Sequence, residues 1–182
     1  MFGWAARWNR NRQPDRLKRL AERVDALALK DSGALDESRR IERLRVEAAV
    51  GLHALCAQFV RDLNGLIATT ELSVDPAVYE PEHFKDGSAN LFQINARGRI
   101  LQFEFEVAEK LLSTENFPEP YTLEGAIRGF NQELLEHDAI EEEQLFFCIN
   151  GTESGWRVFD PRTYQTSDLD EDYLITLLGR LV

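Results

Sequence analysis

Near residue 90 the spacing of apolar side chains changes from every third or fourth position to every second, and this change decides the class of fold. Phe92, Ile94 and Ala96 alternate with Gln93 and Asn95, and Leu101, Phe103, Phe105 and Val107 alternate with Gln102, Glu104 and Glu106. Such alternation marks strands buried on one face. If Arg97-Gly98 is a two-residue turn, Ala96 faces Arg99, Ile94 faces Leu101 and Phe92 faces Phe103. Both apolar sets then share a face, whereas a slip of one residue mixes them, so the pattern predicts an antiparallel hairpin in this register.

Ahead of this hairpin the period is helical. Behind Pro14, Leu17, Leu20, Val24 and Leu27 form a stripe, with Arg12, Arg16, Arg19 and Arg23 at the same spacing beside it. Asp31-Ser32-Gly33 is expected to end that helix near residue 30, Gly33 being suited to a left-handed C-terminal position. A second helix is expected from Asp36 or Ser38 to about Asn64-Gly65. Its Ile41, Leu44, Ala48, Leu52, Leu55, Cys56, Phe59, Leu63 and Leu66 fall in a sector of about 120°. The two make an N-terminal α-helical hairpin.

Pro76, Pro81 and Asp86-Gly87 mark a connection with room for a short strand at Leu72 to Val74. Beyond the β-hairpin, Ser113 to Tyr121 reads as a loop, and Thr122 as the N-cap of a helix carrying Leu123, Ala126, Ile127, Phe130 and Leu134 to about His137-Asp138. Leu145 to Ile149 is apolar on both alternating faces, as in a strand covered on two sides, and is expected to pair with Trp156 to Asp160 across a turn at Asn150 to Gly155. Ser167 with Asp170 starts a last helix to Val182. The expected fold is α+β: an antiparallel sheet of at least four strands in a ββαββα core, preceded by the helical hairpin. Residues 1–70 hold the basic segment and the helical hairpin, and residues 71–182 hold the sheet-and-helix portion of the same single domain. In this order of elements and in its acidity the chain resembles the small bacterial secretion chaperones, and the resemblance implies chaperone-like binding of another protein.

Charge is divided unevenly. Residues 1–50 hold 12 Lys and Arg against 8 Asp and Glu, and the rest hold 9 against 24. The acidic, sheet-bearing part is a poor surface for phosphates, which argues against nucleic acid as a partner. The longest apolar runs, such as Leu145 to Ile149, fall far short of the roughly 18 to 20 residues that a membrane span needs. Charges interrupt the first ten residues, so no secretory signal is expected there. Two cysteines, Cys56 and Cys148, make no disulfide framework and read as core residues of a cytoplasmic protein.

Chemistry-bearing motifs are sparse. The chain has no Gly-rich phosphate loop, GxSxG or HExxH, and no cofactor is expected. His53 and Cys56 lack the second pair that a structural zinc site requires, and His83 sits among Glu80, Glu82 and Asp86 in a solvated loop, so no metal site is expected. His137, with Glu133 or Glu136 as orienter and Cys148 as nucleophile, is the arrangement that a hydrolase or small-molecule pocket would use. Cys148, however, falls mid-strand rather than at a helix N-terminus, where a thiolate is stabilised. The leading expectation is therefore a non-enzymatic cytoplasmic protein-interaction module, chaperone-like or adaptor, that self-associates or binds another protein. Its expected interface lies on the last helix. There the apolar positions from Leu169 through Tyr173, Leu174, Leu178, Leu181 and Val182 span about 220°, wider than one sheet contact needs. Trp4 and Trp8 are expected to dock on the domain or on a second copy rather than on a membrane.

Overall fold

A computed structural model of the chain describes residues 13–113, 117–132 and 140–182. Helix α1 covers Gln13–Asn64 and α2 covers Glu171–Leu181. Between them run β1 (Ser73–Asp75), β2 (Asn90–Ala96), β3 (Arg99–Leu112), β4 (Tyr121–Asn131), β5 (Glu141–Asn150), β6 (Glu153–Asp160) and β7 (Gln165–Asp168). Each strand pairs antiparallel with the next, so one seven-stranded sheet follows chain order. The fold is α+β with an antiparallel sheet. The described residues divide into two compact units, one up to Glu42 and the other from Arg43 onward.

The first hairpin has the expected register, Ala96 opposite Arg99, Ile94 opposite Leu101 and Phe92 opposite Phe103. Arg97 and Gly98 both have positive φ, 57° and 84°, the conformation of a type I′ turn. Asn95 Oδ1 accepts from Gly98 N at 2.8 Å and holds that turn, which explains how an arginine occupies its first position. The pairing of β5 with β6 is also as expected, but longer and tighter. Asn150 pairs with Glu153 across Gly151-Thr152, with Gly151 at φ 63°.

Three expected elements are different in the structure. Instead of a helical hairpin there is one N-terminal helix, because Gly33 lies inside α1. A helix tolerates one glycine at a cost of about 1 kcal/mol. Pairs that follow it, Asp36 with Arg39 and Glu37 with Arg40, support the next turns. Instead of a helix from Thr122, residues 121–131 are the strand β4 at the centre of the sheet; residues 133–139 lie outside the described residues. The last helix starts after Asp170, not at Ser167, because Gln165–Asp168 pair with β6 as an edge strand. Asp170 Oδ1 accepts from Tyr173 N at 2.9 Å as the actual N-cap. The ββαββα order is therefore replaced by a meander closed by one helix, and the order of elements behind the resemblance to secretion chaperones is not the one observed.

Within residues 43–182 the helices cover one face of the sheet. Pairing aligns Phe103 with Ile127 and Glu143, Phe105 with Gly125, Leu145 and Val158, and Val107 with Leu123, Phe147 and Trp156. Against this face α1 places Leu52, Cys56, Phe59 and Val60, and α2 places Leu174, Leu177 and Leu178, all buried. Burying each Phe or Leu contributes about 2–3 kcal/mol. Trp156 Nε1 donates to the Ala48 carbonyl at 3.0 Å. An irregularity between Tyr121 and Leu123 turns Thr122 toward α1, where its Oγ1 accepts from Arg45 Nε at 2.6 Å. The opposite face carries a smaller cluster of Ala108, Phe117, Tyr121, Phe146, Cys148 and Phe159. Leu145 to Ile149 is thus covered on both sides, as its composition predicts.

Candidate functional site

Polar groups inside the core are engaged with one another. Glu143 is buried on the helix-covered face, where its carboxylate accepts from Tyr173 Oη at 2.6 Å and from Arg180 Nη1 at 2.5 Å, with Arg162 at 3.8 Å. Alternation along β5 puts Glu143 in the same row sense as Leu145 and Phe147, the signal in the sequence that would have marked it as buried. His53 is buried too, donating from Nε2 to the Pro76 carbonyl at 2.7 Å and stacking on Tyr79. His83 accepts at Nδ1 from Glu80 N at 2.9 Å and closes a short turn. Among the described residues no group of three or more His, Cys, Asp or Glu is placed to hold a metal.

Cys148 sits in the smaller apolar cluster, and burial, with Glu119 nearby, pushes its thiol up to about 12. Burial does the same to Cys56. Neither is a thiolate at neutral pH, so neither is an activated nucleophile. The suggested partners of Cys148, Glu133, Glu136 and His137, lie outside the described residues.

The raised values set a pH dependence. Tyr79 is pushed up to about 12 by burial, and Tyr173 is raised by burial and by its bond to Glu143. The folded chain holds these protons where the unfolded chain releases them. Stabilisation from the two raised thiols is therefore complete below about pH 8.5 and that from the tyrosines below about pH 10, and each is lost as pH climbs from there through the folded values. Urea midpoints are expected to be flat from neutrality to about pH 8 and to fall steadily above pH 9. A midpoint that rises over that range overturns the assignment. A thiol reagent at neutral pH should label both cysteines only as the chain unfolds.

The interface expected on α2 is largely consumed by the chain itself. Leu174 and Leu178 are buried, Tyr173 is half-buried with its hydroxyl on Glu143, and Leu181 rests against Gly129. The exposed apolar side chains of this segment are Ile175 and Val182. Trp4 and Trp8 lie outside the described residues. On the helix-free face Glu104, Glu106, Glu124 and Glu142 line an open trough of about 360 Å³ with Phe146 at its edge. Arg128 bridges two of those carboxylates, with Nε donating to Glu142 at 2.7 Å and Nη1 to Glu104.

The remaining candidate is on α1 within residues 13–42. Leu17, Leu20, Val24 and Leu27 are 64, 55, 55 and 57% exposed. The same helix, with the same periodicity, buries Leu52, Cys56 and Phe59 at 5% or less. One stretch of amphipathic stripe is covered by a sheet, and the other, among the described residues, is bare. Arg16, Arg19, Arg23 and Lys30 run along one edge of the bare stretch, also exposed. No described helix is long and apolar enough to cross a membrane. Comparison with known proteins gives no match: no family model, curated protein or solved structure is similar to this chain.

Proposed function

We propose that the chain is a non-enzymatic protein-interaction module of the adaptor kind, and that residues 16–30 of α1 are its docking face. The observation that carries this is the solvent-exposed stripe of Leu17, Leu20, Val24 and Leu27. An amphipathic helix gains most of its stability from covering such a face, and exposed apolar stripes edged by charge mark sites of association. Support also comes from the polar groups of residues 43–182, since Glu143, His53 and Arg128 spend their bonds inside the fold.

A photo-crosslinking residue tests this in cells of the native host. Placed at Leu20, it should give discrete protein adducts that disappear when Val24→Glu and Leu27→Glu are added. Placed at Leu29, which is 77% exposed on another side of the helix, it should not give them. Equal labelling from both positions would sink the docking face. Circular dichroism of the substituted chain should show unchanged helix content, since glutamate is a good helix former.

A further inference from the structure

We propose that the occupant of this face is an amphipathic helix of another protein, its apolar seam edged by carboxylates. This rests on the docking reading above and adds the chemistry of the partner. With Arg16 at 0° and about 100° per residue, Leu17, Leu20, Val24 and Leu27 lie between about 20° and 100°. Arg16, Arg19, Arg23 and Lys30 lie in the adjoining arc of about 60°, while Asp15, Glu22 and Asp25 lie on the far side, at about 180° to 260°, with Lys18 the one cation among them, and Asp31 ends the apolar arc one turn past Leu27. The helix has an apolar side, a basic side and a mainly acidic side. In heptad terms the apolar residues fill a and d, Arg16, Arg23 and Lys30 fill three successive g positions, and Ala21 and Ala28 fill e. The small alanines let a partner backbone come close on one edge, and the cations on the other edge call for carboxylates.

The same layout excludes other occupants. A second copy laid antiparallel, with Leu17 over Leu27 and Leu20 over Val24, sets Arg23 beside its own copy and Arg16 beside the copy of Lys30. Laid parallel, it offers the g cations only Ala21, Ala28 and Leu35. Like charges at these positions select against self-pairing. The segment 1–12 carries Arg7, Arg10 and Arg12 and no carboxylate, the same sign as the basic edge. A flat anionic membrane rewards cations on both edges of the stripe, and here the second edge runs through Ala28 and Ala21 to Asp25 and Glu22, with Lys18 the one cation there. Residues 43–182 add 25 Asp and Glu against 11 Lys and Arg, which such a surface repels.

Two synthetic helical peptides of equal length, with the same Leu/Val seam and either Glu or Lys at every e and g position, test the proposal by fluorescence anisotropy with the full chain. The Glu peptide is expected to bind at least about tenfold more tightly than the Lys peptide at low salt, and the ratio is expected to shrink at high salt. Leu20→Glu with Val24→Glu should abolish binding of both. Arg16→Glu, Arg23→Glu and Lys30→Glu together should invert the preference, a result that partial unfolding would not produce. Equal binding of the two peptides overturns the proposal, as does binding of neither while the crosslinker at Leu20 still traps protein. In that second case the docking face survives and its acidic partner does not. Sedimentation showing self-association that Leu20→Glu abolishes, or flotation with vesicles containing phosphatidylglycerol that Leu20→Glu abolishes, also overturns it.

Discussion

Gly125→Ala should leave residues 43–182 without a cooperative unfolding transition. A Cβ at this position would lie 1.9 Å from the Glu104 carbonyl oxygen and 2.6 Å from the Phe105 Cα. Both are backbone atoms of the neighbouring central strand, so no side chain can rotate away. The strands must separate, and Phe105, Leu145 and Val158 share that row. Overpacking in a responsive core costs about 1–3 kcal/mol. A backbone collision at the middle of the sheet exceeds that and approaches the total stability of a small domain, about 5–15 kcal/mol. Thermal denaturation followed by circular dichroism is the measurement, and a midpoint within a few degrees of the parent would show that the strands are not in this contact. Gly51→Ala is the control. It lies in α1, where an added Cβ has nothing within 4 Å, and it should stabilise by about 0.5–1 kcal/mol.

The second large effect belongs to Arg180. Its side chain is 40% exposed while that of Glu143 is 4% exposed, so Arg180→Ala strips a buried carboxylate of its closest cation and leaves it in place. Breaking fully buried pairs in this way costs about 3–5 kcal/mol. The partial exposure of Arg180 and the neighbouring Arg162 reduce the expected loss to about 2 kcal/mol. Removing the carboxylate instead should be milder, because Glu143→Met also removes the charge whose burial is unfavourable. Urea denaturation of the two variants should therefore rank Arg180→Ala as the more destabilised. The reverse order would mean that Glu143 is held mainly by Tyr173, and Tyr173→Phe would then carry the larger loss.

The parts of this fold that were legible are those where period and chemistry agreed. The β2–β3 hairpin could be registered to the residue, because alternation on both sides of Arg97-Gly98 allowed a single pairing. β4 was not legible, since Leu123, Ala126, Ile127 and Phe130 satisfy the helical spacing as well as a strand does. The discriminating signal was Gly125 and Gly129, two poor helix formers on the inward face, where one meets a neighbouring backbone and the other meets Leu181. β7 was hidden because four polar residues at an edge have no hydrophobic pattern. The wide stripe of α2 was legible but misassigned: Leu174, Leu177 and Leu178 are buried within the fold, and Tyr173 reaches a carboxylate 30 positions away that no local spacing reveals. The stripe on α1 was legible as a helix face, whereas its exposure is a tertiary property and needed coordinates.

Strand order has a consequence for what the sheet itself can recruit. A meander leaves two outer margins among the described residues, and here these are β1, three residues long and followed by Pro76, and β7, four polar residues long. Such margins give an incoming strand little backbone to pair with, and the proline withholds a donor. The long, strongly paired strands β3, β4 and β5 are all interior. At the high local concentrations of a cell this architecture resists edge-to-edge polymerisation and runaway fibre growth.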